Sequence, residues 1–179
     1  MAYSVLIPGA IAAKNVDAYN KFAVYSSAIV ENGNIVKLGA LSTNSGEAEV
    51  YVAATPATAT LATDIFYMVN EPAIPVVDSK YKGLIDDPTA FAVAAGKVFG
   101  VFRPQVGDEI IISEDGLAGT KSTNTFVVPA NNTLDLTWAA SSSGVSLAYE
   151  LVETTFITIP SATFYGGRKT AYKFRCVAA

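Results

Sequence analysis

The length and charge of the chain restrict the kinds of protein that it can be. Its 179 residues predict one domain with a hydrophobic core of its own, and its net charge of −4 argues against a protein that holds nucleic acid by neutralising phosphates. Only 16% of the residues are charged and 51% are apolar, so we expect a partner to cover part of the surface in an oligomer or larger assembly. The alternative is a well-packed barrel in which Ala, Thr and Ser residues lower the charge density without leaving an apolar patch.

The N-terminal stretch from Tyr3 to Ile11 is apolar and free of charge. A signal peptide has basic residues before its apolar run, and a membrane span needs about twenty apolar residues, whereas this stretch is short and is interrupted at Pro8. We therefore expect neither a secretory signal nor contact with a membrane. Because the stretch is too apolar to extend into water, we expect it to be ordered only against a partner or against its own domain.

A period of two in hydrophobicity, interrupted by turn residues, dominates the next part of the chain. Within residues 27–38, Asn32 and Gly33 lie between two β-branched runs, which predicts a two-residue hairpin because both central residues need positive φ. The segment 71–88 contains several prolines and charges and is predicted to be a long ordered loop. The strands predicted between these two segments are residues 47–53 and 64–69.

Residues 91–102 admit two interpretations. A helix would begin with Asp87 as its N-cap and Pro88 in its first turn. The two internal glycines and the run Val-Phe-Gly-Val-Phe favour a pair of strands instead. The strands predicted after this segment are residues 105–113, 125–128, 133–139, 145–159 and 169–177.

These elements together predict an all-β fold. About ten short strands at this spacing, with no helix longer than three turns, are typical of an antiparallel β-barrel or β-sandwich. We expect residues 15–179 to form this single domain and residues 1–14 to lie outside it.

The absence of histidine removes the commonest routes to catalysis. The chain has no histidine and one cysteine, so Ser-His-Asp and Cys-His designs are excluded and no disulfide can form within the chain. The adjacent acids Asp108-Glu109 and Glu114-Asp115 are the remaining candidates for the carboxylates of a glycosidase. Adjacent residues point to opposite faces of a strand, and both pairs adjoin turn glycines where acids are usually solvated, so we expect no enzymatic activity.

Metal and cofactor sites are not expected either. Asp78, Asp86 and Asp87 offer oxygen atoms for a calcium site, but their spacing matches no known ligand loop and a turn at Asp87 explains them. The run GGRK at residues 166–169 is similar to a phosphate loop, but no helix follows it, and a hairpin turn accounts for it. We therefore predict no catalytic, cofactor-binding or metal-binding residue.

The C-terminal part of the chain is basic and follows an acidic part. Residues 104–153 are rich in acids, whereas Arg168, Lys169, Lys173 and Arg175 lie beyond them. We favour ion pairing between the two parts within one domain, and a phosphate-binding or partner-binding patch is the alternative.

Alternation also assigns individual side chains to the core. Cys176 falls on the same face as Tyr172 and Phe174, so we expect it to be a buried structural thiol. We also expect core positions, and not a flat sugar-binding platform, for Tyr51, Tyr67, Tyr149 and Tyr172.

Two segments of the sequence resemble proteins of bacteriophage heads. The run FAVAAGKVFGVFRPQVGDEIIIS at residues 91–113 resembles a segment of small head proteins of tailed bacteriophages, in which an Ala-Gly-Lys strand leads through an aromatic stretch into a Gly-Asp turn and a further strand. The C-terminal run GGRKTAYKFRCVA, in which aromatic and basic residues alternate, also suits a virion structural component. The resemblance implies a capsid decoration protein, also called a cement protein.

Such a protein sits on the outer surface of the assembled head and strengthens contacts between major capsid subunits. The resemblance thus implies the major capsid protein as partner, a homo-oligomer or a lattice-linked set of copies, synthesis in the host cytoplasm and a final location on the outer capsid surface. Residues 1–14 would then form an extended arm laid over a neighbouring subunit. The partner-binding candidates in this arm are Tyr3, Val5, Leu6, Ile7 and Ile11.

Two other classes of function stay open. Another virion component, such as a tail tube, a head fibre or a receptor-binding module, would have the same composition. A carbohydrate-binding module from outside a virion is the third class. Binding to a glycan array would favour that third class, whereas isolation of the protein together with intact phage heads would favour the cement protein.

Overall fold

The computed structural model describes residues 2–43, 49–71, 88–159 and 167–179. These residues form twelve β-strands and 3-10 helices of three residues each, so the all-β prediction is confirmed. The strands are β1 (Leu6–Pro8), β2 (Asn20–Val24), β3 (Ile35–Leu41), β4 (Val50–Ala54), β5 (Phe66–Val69), β6 (Val98–Phe102), β7 (Glu109–Ser113), β8 (Leu117–Ala118), β9 (Phe126–Val128), β10 (Leu136–Ala139), β11 (Ala148–Ile159) and β12 (Gly167–Ala178). The 3-10 helices span Ala12–Lys14, Asp17–Tyr19, Thr58–Thr60, Pro88–Ala90 and Glu114–Gly116.

Five strands close into a small barrel in the order β2, β4, β3, β5, β6, and β6 pairs again with β2. Strands β2 and β4 run parallel, whereas the other neighbours in the barrel are antiparallel. Alternate residues point into the narrow interior, which is filled by small or branched apolar side chains. Among these are Ala23, Val36, Ala53, Val69 and Val101. The predicted barrel is confirmed, with one parallel pair as the departure from a purely antiparallel arrangement.

The other seven strands form a second sheet in the order β1, β7, β12, β11, β9, β10, β8. Strands β1 and β8 are its two edges. Strands β11 and β12 have 12 residues each and pair antiparallel along most of their length. This long pair is the centre of the second sheet.

Both sheets contribute side chains to one hydrophobic core. Outward-facing residues of the barrel, including Phe66 and Phe102, meet inward-facing residues of the second sheet, including Trp138 and Phe174. The Trp138 ring meets the Tyr172 ring edge to face, with the ring centroids 5.2 Å apart. The barrel and the second sheet therefore fold around a common interior.

The N-terminal segment is part of this core, so the prediction of an extended arm outside the domain was wrong. Strand β1 pairs antiparallel with β7, and Leu6 lies opposite Ile112. Val5, Leu6 and Ile11 are buried. The segment was expected to be ordered only against a partner or its own domain, and β7 of its own chain is the strand that it pairs with. Burial of its apolar side chains stabilises this position because it removes them from water.

The turn at Asn32-Gly33 exists, but it does not connect two paired strands. The Asn34 amide donates to the Glu31 carbonyl, and Gly33 has a φ of 89°. Strand β3 begins just after the turn and pairs with β4 and β5, while Val30 before the turn forms an isolated bridge with Val93. The hairpin prediction was wrong because the partners of both flanking segments come from distant parts of the sequence.

Most of the remaining strand predictions agree with the structure. Residues 91–102 form strand structure and not a helix, because Val93 makes a bridge, Gly96 takes a φ of 76° in a turn and β6 follows. Residues 72–87 lie outside the described residues. The long loop and the alternative calcium site predicted there therefore stay predictions.

The buried edge strand makes a prediction about stability. Leu6 is 8% exposed and its neighbour Ile7 is 43% exposed. We expect Leu6→Ala to lower the free energy of unfolding by about 3 kcal/mol, because it leaves a cavity in the core, and Ile7→Ala to lower it by less than about 1 kcal/mol. Urea unfolding of both variants measures this difference, and equal small effects would indicate a segment that does not pack against the domain.

Candidate functional site

Asp108, one of the acids that sequence analysis considered for catalysis, has a structural role. The Asp108 side chain is buried and accepts hydrogen bonds from the amides of Ala12 and Gln105, both at 2.9 Å. Asp108 thereby ties the N-terminal segment to the turn before β7. The expectation that it is solvated was wrong, because turn amides and not water satisfy this carboxylate.

Glu109 and the basic face of β12 form the ion pairs that sequence analysis favoured. The Glu109 carboxylate lies 3.0 Å from Lys173 Nζ and 2.8 Å from Arg175 Nη2, and Lys169 pairs with Asp115. Hydrogen bonds from Arg175 and then from Lys173 hold the pKa of Glu109 below its ordinary value. Pairing within the domain is thus confirmed, and much of the basic charge of β12 is neutralised.

Cys176 is buried next to Tyr149, as sequence analysis expected. Burial is the main cause that raises the pKa of the Cys176 thiol to about 12, and the nearby Asp108 carboxylate adds to it. Burial likewise raises the pKa of Tyr149. A thiol with this pKa is a poor nucleophile at neutral pH.

The five predicted partner-binding residues are not gathered on one accessible surface. Val5, Leu6 and Ile11 are buried, and Tyr3 is half-buried. Ile7 is the one of the five that is exposed. Their role in binding a partner stays a prediction, and in this conformation only Ile7 offers a large apolar surface.

A two-stranded ribbon, formed by residues 152–159 of β11 and 167–170 of β12, extends beyond the second sheet. Among the described residues its two strands pair only with each other, since β9 pairs with β11 only at Tyr149 and Glu150 and β7 pairs with β12 only from Ala171 onward. A register shift in β11 leaves Val152 without a partner on β12. Within the described ranges, no strand pairs with the outer edge of β11 in the ribbon, and this edge can accept another strand.

Apolar side chains lie exposed on this ribbon, and sequence analysis missed them. Phe156 is 58% exposed and Val152 is 45% exposed. On the opposite face, Ile157 is buried against Val5 and Ala171, so the N-terminal segment supports the base of the ribbon. The alternation of residues 152–158 predicts which side chains share a face of the strand. It does not predict that β9 and β7 end before this part of the ribbon and leave its side chains exposed.

A second feature is a cavity of about 590 Å³ at one end of the barrel. Its lining includes Lys21 from β2, Leu38 from β3, Tyr51 from β4 and Tyr67 from β5. Each of these four residues lies two positions along its strand from a residue in the barrel interior, and residues two apart in a strand share a face. All four therefore point towards the barrel axis; the interior residues are Ala23, Val36, Ala53 and Val69. We call this cavity the mouth cavity.

One wall of the mouth cavity is the segment Thr63–Ile65, which carries an ion pair. Lys37 Nζ lies 3.3 Å from the Asp64 carboxylate, which also accepts a hydrogen bond from the Thr60 hydroxyl. The bond from Thr60 is the main cause that lowers the pKa of Asp64. Asp64 is therefore a carboxylate at neutral pH.

The chain was compared with protein-family models, with curated proteins and with solved structures. No match was found in any of the three comparisons. In the described part of the chain, no helix is long and apolar enough to cross a membrane, and no group of three or more Cys, Asp or Glu side chains is placed to hold a metal ion.

Replacing Glu109 with Gln is expected to change how stability depends on pH. Because the pKa of Glu109 is lowered in the folded state, its carboxylate stabilises the fold above the ordinary value of 4.5, and this contribution is lost as the pH falls through the folded value. The Glu109→Gln variant should be less stable than wild type at pH 7 and converge with it in acid. Urea unfolding between pH 7 and pH 3 measures this, with the exposed Glu114→Gln as control. Parallel curves for wild type and Glu109→Gln would contradict it.

The buried thiol predicts slow chemical labelling. A rise in pKa from 9.0 to about 12 leaves the folded protein with about a thousandfold less thiolate than the unfolded chain at pH 8. We expect a thiol-specific disulfide reagent to label native protein far more slowly than protein unfolded in urea. Stability should also fall as the pH rises above 9, because only the unfolded chain then loses the proton. Equal labelling rates would show that Cys176 is accessible.

Proposed function

We propose that the protein is a virion structural protein that binds the outer surface of an assembled phage capsid and stabilises contacts between major capsid subunits. The observation that carries the proposal is the ribbon, which combines an open strand edge with an exposed phenylalanine. Strand addition at an open edge supplies backbone hydrogen bonds, and a neighbouring aromatic side chain supplies apolar burial. The resemblance of residues 91–113 to small head proteins supports the identity of the partner.

Several properties of the surface favour this function over catalysis. Three of the four acids that were considered for catalysis, Asp108, Glu109 and Asp115, are tied into ion pairs or hydrogen bonds. A net charge of −4 is unsuited to contact with the packaged genome, which supports a position outside the shell. A lattice offers many equivalent sites, so weak single contacts add up when copies are linked in a homo-oligomer or through the shell.

The test compares two exposed phenylalanines on different surfaces. Phe156 on the ribbon is 58% exposed and Phe22 on the outside of the barrel is 57% exposed. We expect Phe156→Ser to weaken binding to purified heads by at least about tenfold, because a buried aromatic anchor contributes about 2 kcal/mol or more to an interface. Phe22→Ser is the matched control, and both variants should fold because surface substitutions change stability by about 0.5 kcal/mol.

Cosedimentation of the protein with heads of the source phage that lack it is the measurement. Wild-type protein should saturate at a fixed ratio to the capsid subunit and raise the temperature at which heads break open. Cryo-microscopy should place its density on the outer surface of the shell. Binding to tails alone, binding to neither heads nor tails, or full binding by Phe156→Ser would each contradict the proposal.

A further inference from the structure

The mouth cavity has the size and the lining of a small-molecule site. Its volume of about 590 Å³ lies within the range of about 300–1,000 Å³ that is common for ligand pockets. The barrel strands hold its walls on a closed hydrogen-bonded frame, since β2, β3, β4 and β5 all pair with neighbours in the barrel. A site built on such a frame is formed before its ligand arrives.

Two tyrosines and a lysine present unused polar groups to this cavity. Tyr51 and Tyr67 are half-buried, and neither phenol forms a hydrogen bond to another described residue. The Lys21 ammonium likewise forms no ion pair within the described ranges. The remaining charged groups of the lining, Lys37 and Asp64, neutralise each other. Counted over the described lining residues, the cavity carries one uncompensated positive charge beside two aromatic rings.

A smaller cavity of about 180 Å³ adjoins the first and shares the wall Thr63–Ile65 with it. Arg103 lines this smaller cavity, and its Nε is buried with no hydrogen-bond partner among the described residues. An unpaired buried donor on a cation costs stability unless an acceptor reaches it. A second cation therefore lies on the same side of the barrel as Lys21.

From these observations we infer that the mouth cavity binds a sugar that carries a carboxylate. Sequence analysis expected core positions for Tyr51 and Tyr67, but both are half-buried and line this cavity. Their ring faces suit the apolar face of a pyranose ring, and their hydroxyls can bond to those of the sugar. The Lys21 ammonium pairs with the carboxylate of the ligand, and Asp64 accepts hydrogen bonds from its hydroxyls. This inference goes beyond the capsid function, because the cavity lies on the barrel and the ribbon belongs to the second sheet.

The test is titration of the full chain with glucuronate, glucose and inorganic phosphate, followed by ligand-observed NMR and calorimetry. We expect glucuronate to bind with a dissociation constant on the order of 1 mM, as is typical for a ligand of this size. Glucose, which lacks the carboxylate, should bind at least about tenfold more weakly. Inorganic phosphate has no ring to pack on Tyr51 and Tyr67, so it should not displace glucuronate at equal concentration.

Two lysine variants locate the binding. Lys21→Met keeps most of the length of the side chain and removes its charge, so it should weaken glucuronate binding by about tenfold or more through loss of a charge-assisted hydrogen bond. Lys97→Met is the matched control, because Lys97 is exposed in the turn before β6, at the opposite end of the barrel. Thermal melting of both variants confirms that they fold.

Each of four results would overturn the inference. They are the absence of glucuronate binding to wild type, equal binding of glucose and glucuronate, displacement of glucuronate by phosphate at equal concentration, and unchanged binding by Lys21→Met. The capsid proposal is tested with other variants and another partner, so the two proposals can fail separately.

Discussion

The alternating side chains of strand β12 face the hydrophobic core on one side and ion pairs on the other, and the packing of both sheets depends on this alternation. Tyr172, Phe174 and Cys176 point into the core that the second sheet shares with the barrel, whereas Lys173 and Arg175 point away and pair with Glu109 on β7. A shift of one residue in register would exchange the two sets, which would bury unpaired charges at a cost of several kcal/mol. The pattern of β12 therefore fixes the register of β7 and β11, its neighbours on either side.

The same alternation connects the N-terminal segment with the ribbon. Val5 packs under Ile157, on the face of the ribbon opposite Phe156. An edge that is held in place by its own domain loses little conformational entropy when a partner strand adds to it. The segment that sequence analysis expected to bind a partner thus supports, from beneath, the ribbon that we propose as the binding surface.

Local patterns in the sequence were sufficient for the strands but not for their partners. Period-two alternation identified β7, β9, β10, β11 and β12 because each strand carries its own pattern of buried and exposed residues. The turn at Asn32-Gly33 was found, yet the hairpin was wrong, because pairing of β3 with β4 and β5 depends on distant residues. The ribbon and the mouth cavity could not be predicted for the same reason. Phe156 is exposed only because neighbouring strands end early, and Lys21, Tyr51 and Tyr67 meet only after the barrel closes.

The position of β1 beside β7 determines the order in which the chain can fold during its synthesis. The Val5 amide bonds to the Ser113 hydroxyl 108 positions later, so the N-terminal strand has no partner until most of the chain has left the ribosome. The barrel strands β2 to β6 are complete earlier and can close first. Strand β7 then receives β1 on one side and waits for β12 on the other. Such non-local pairing is typical of β proteins that fold in milliseconds to seconds. The apolar N-terminal strand is exposed to aggregation until β7 arrives, and the second edge of β7 stays exposed until β12 arrives.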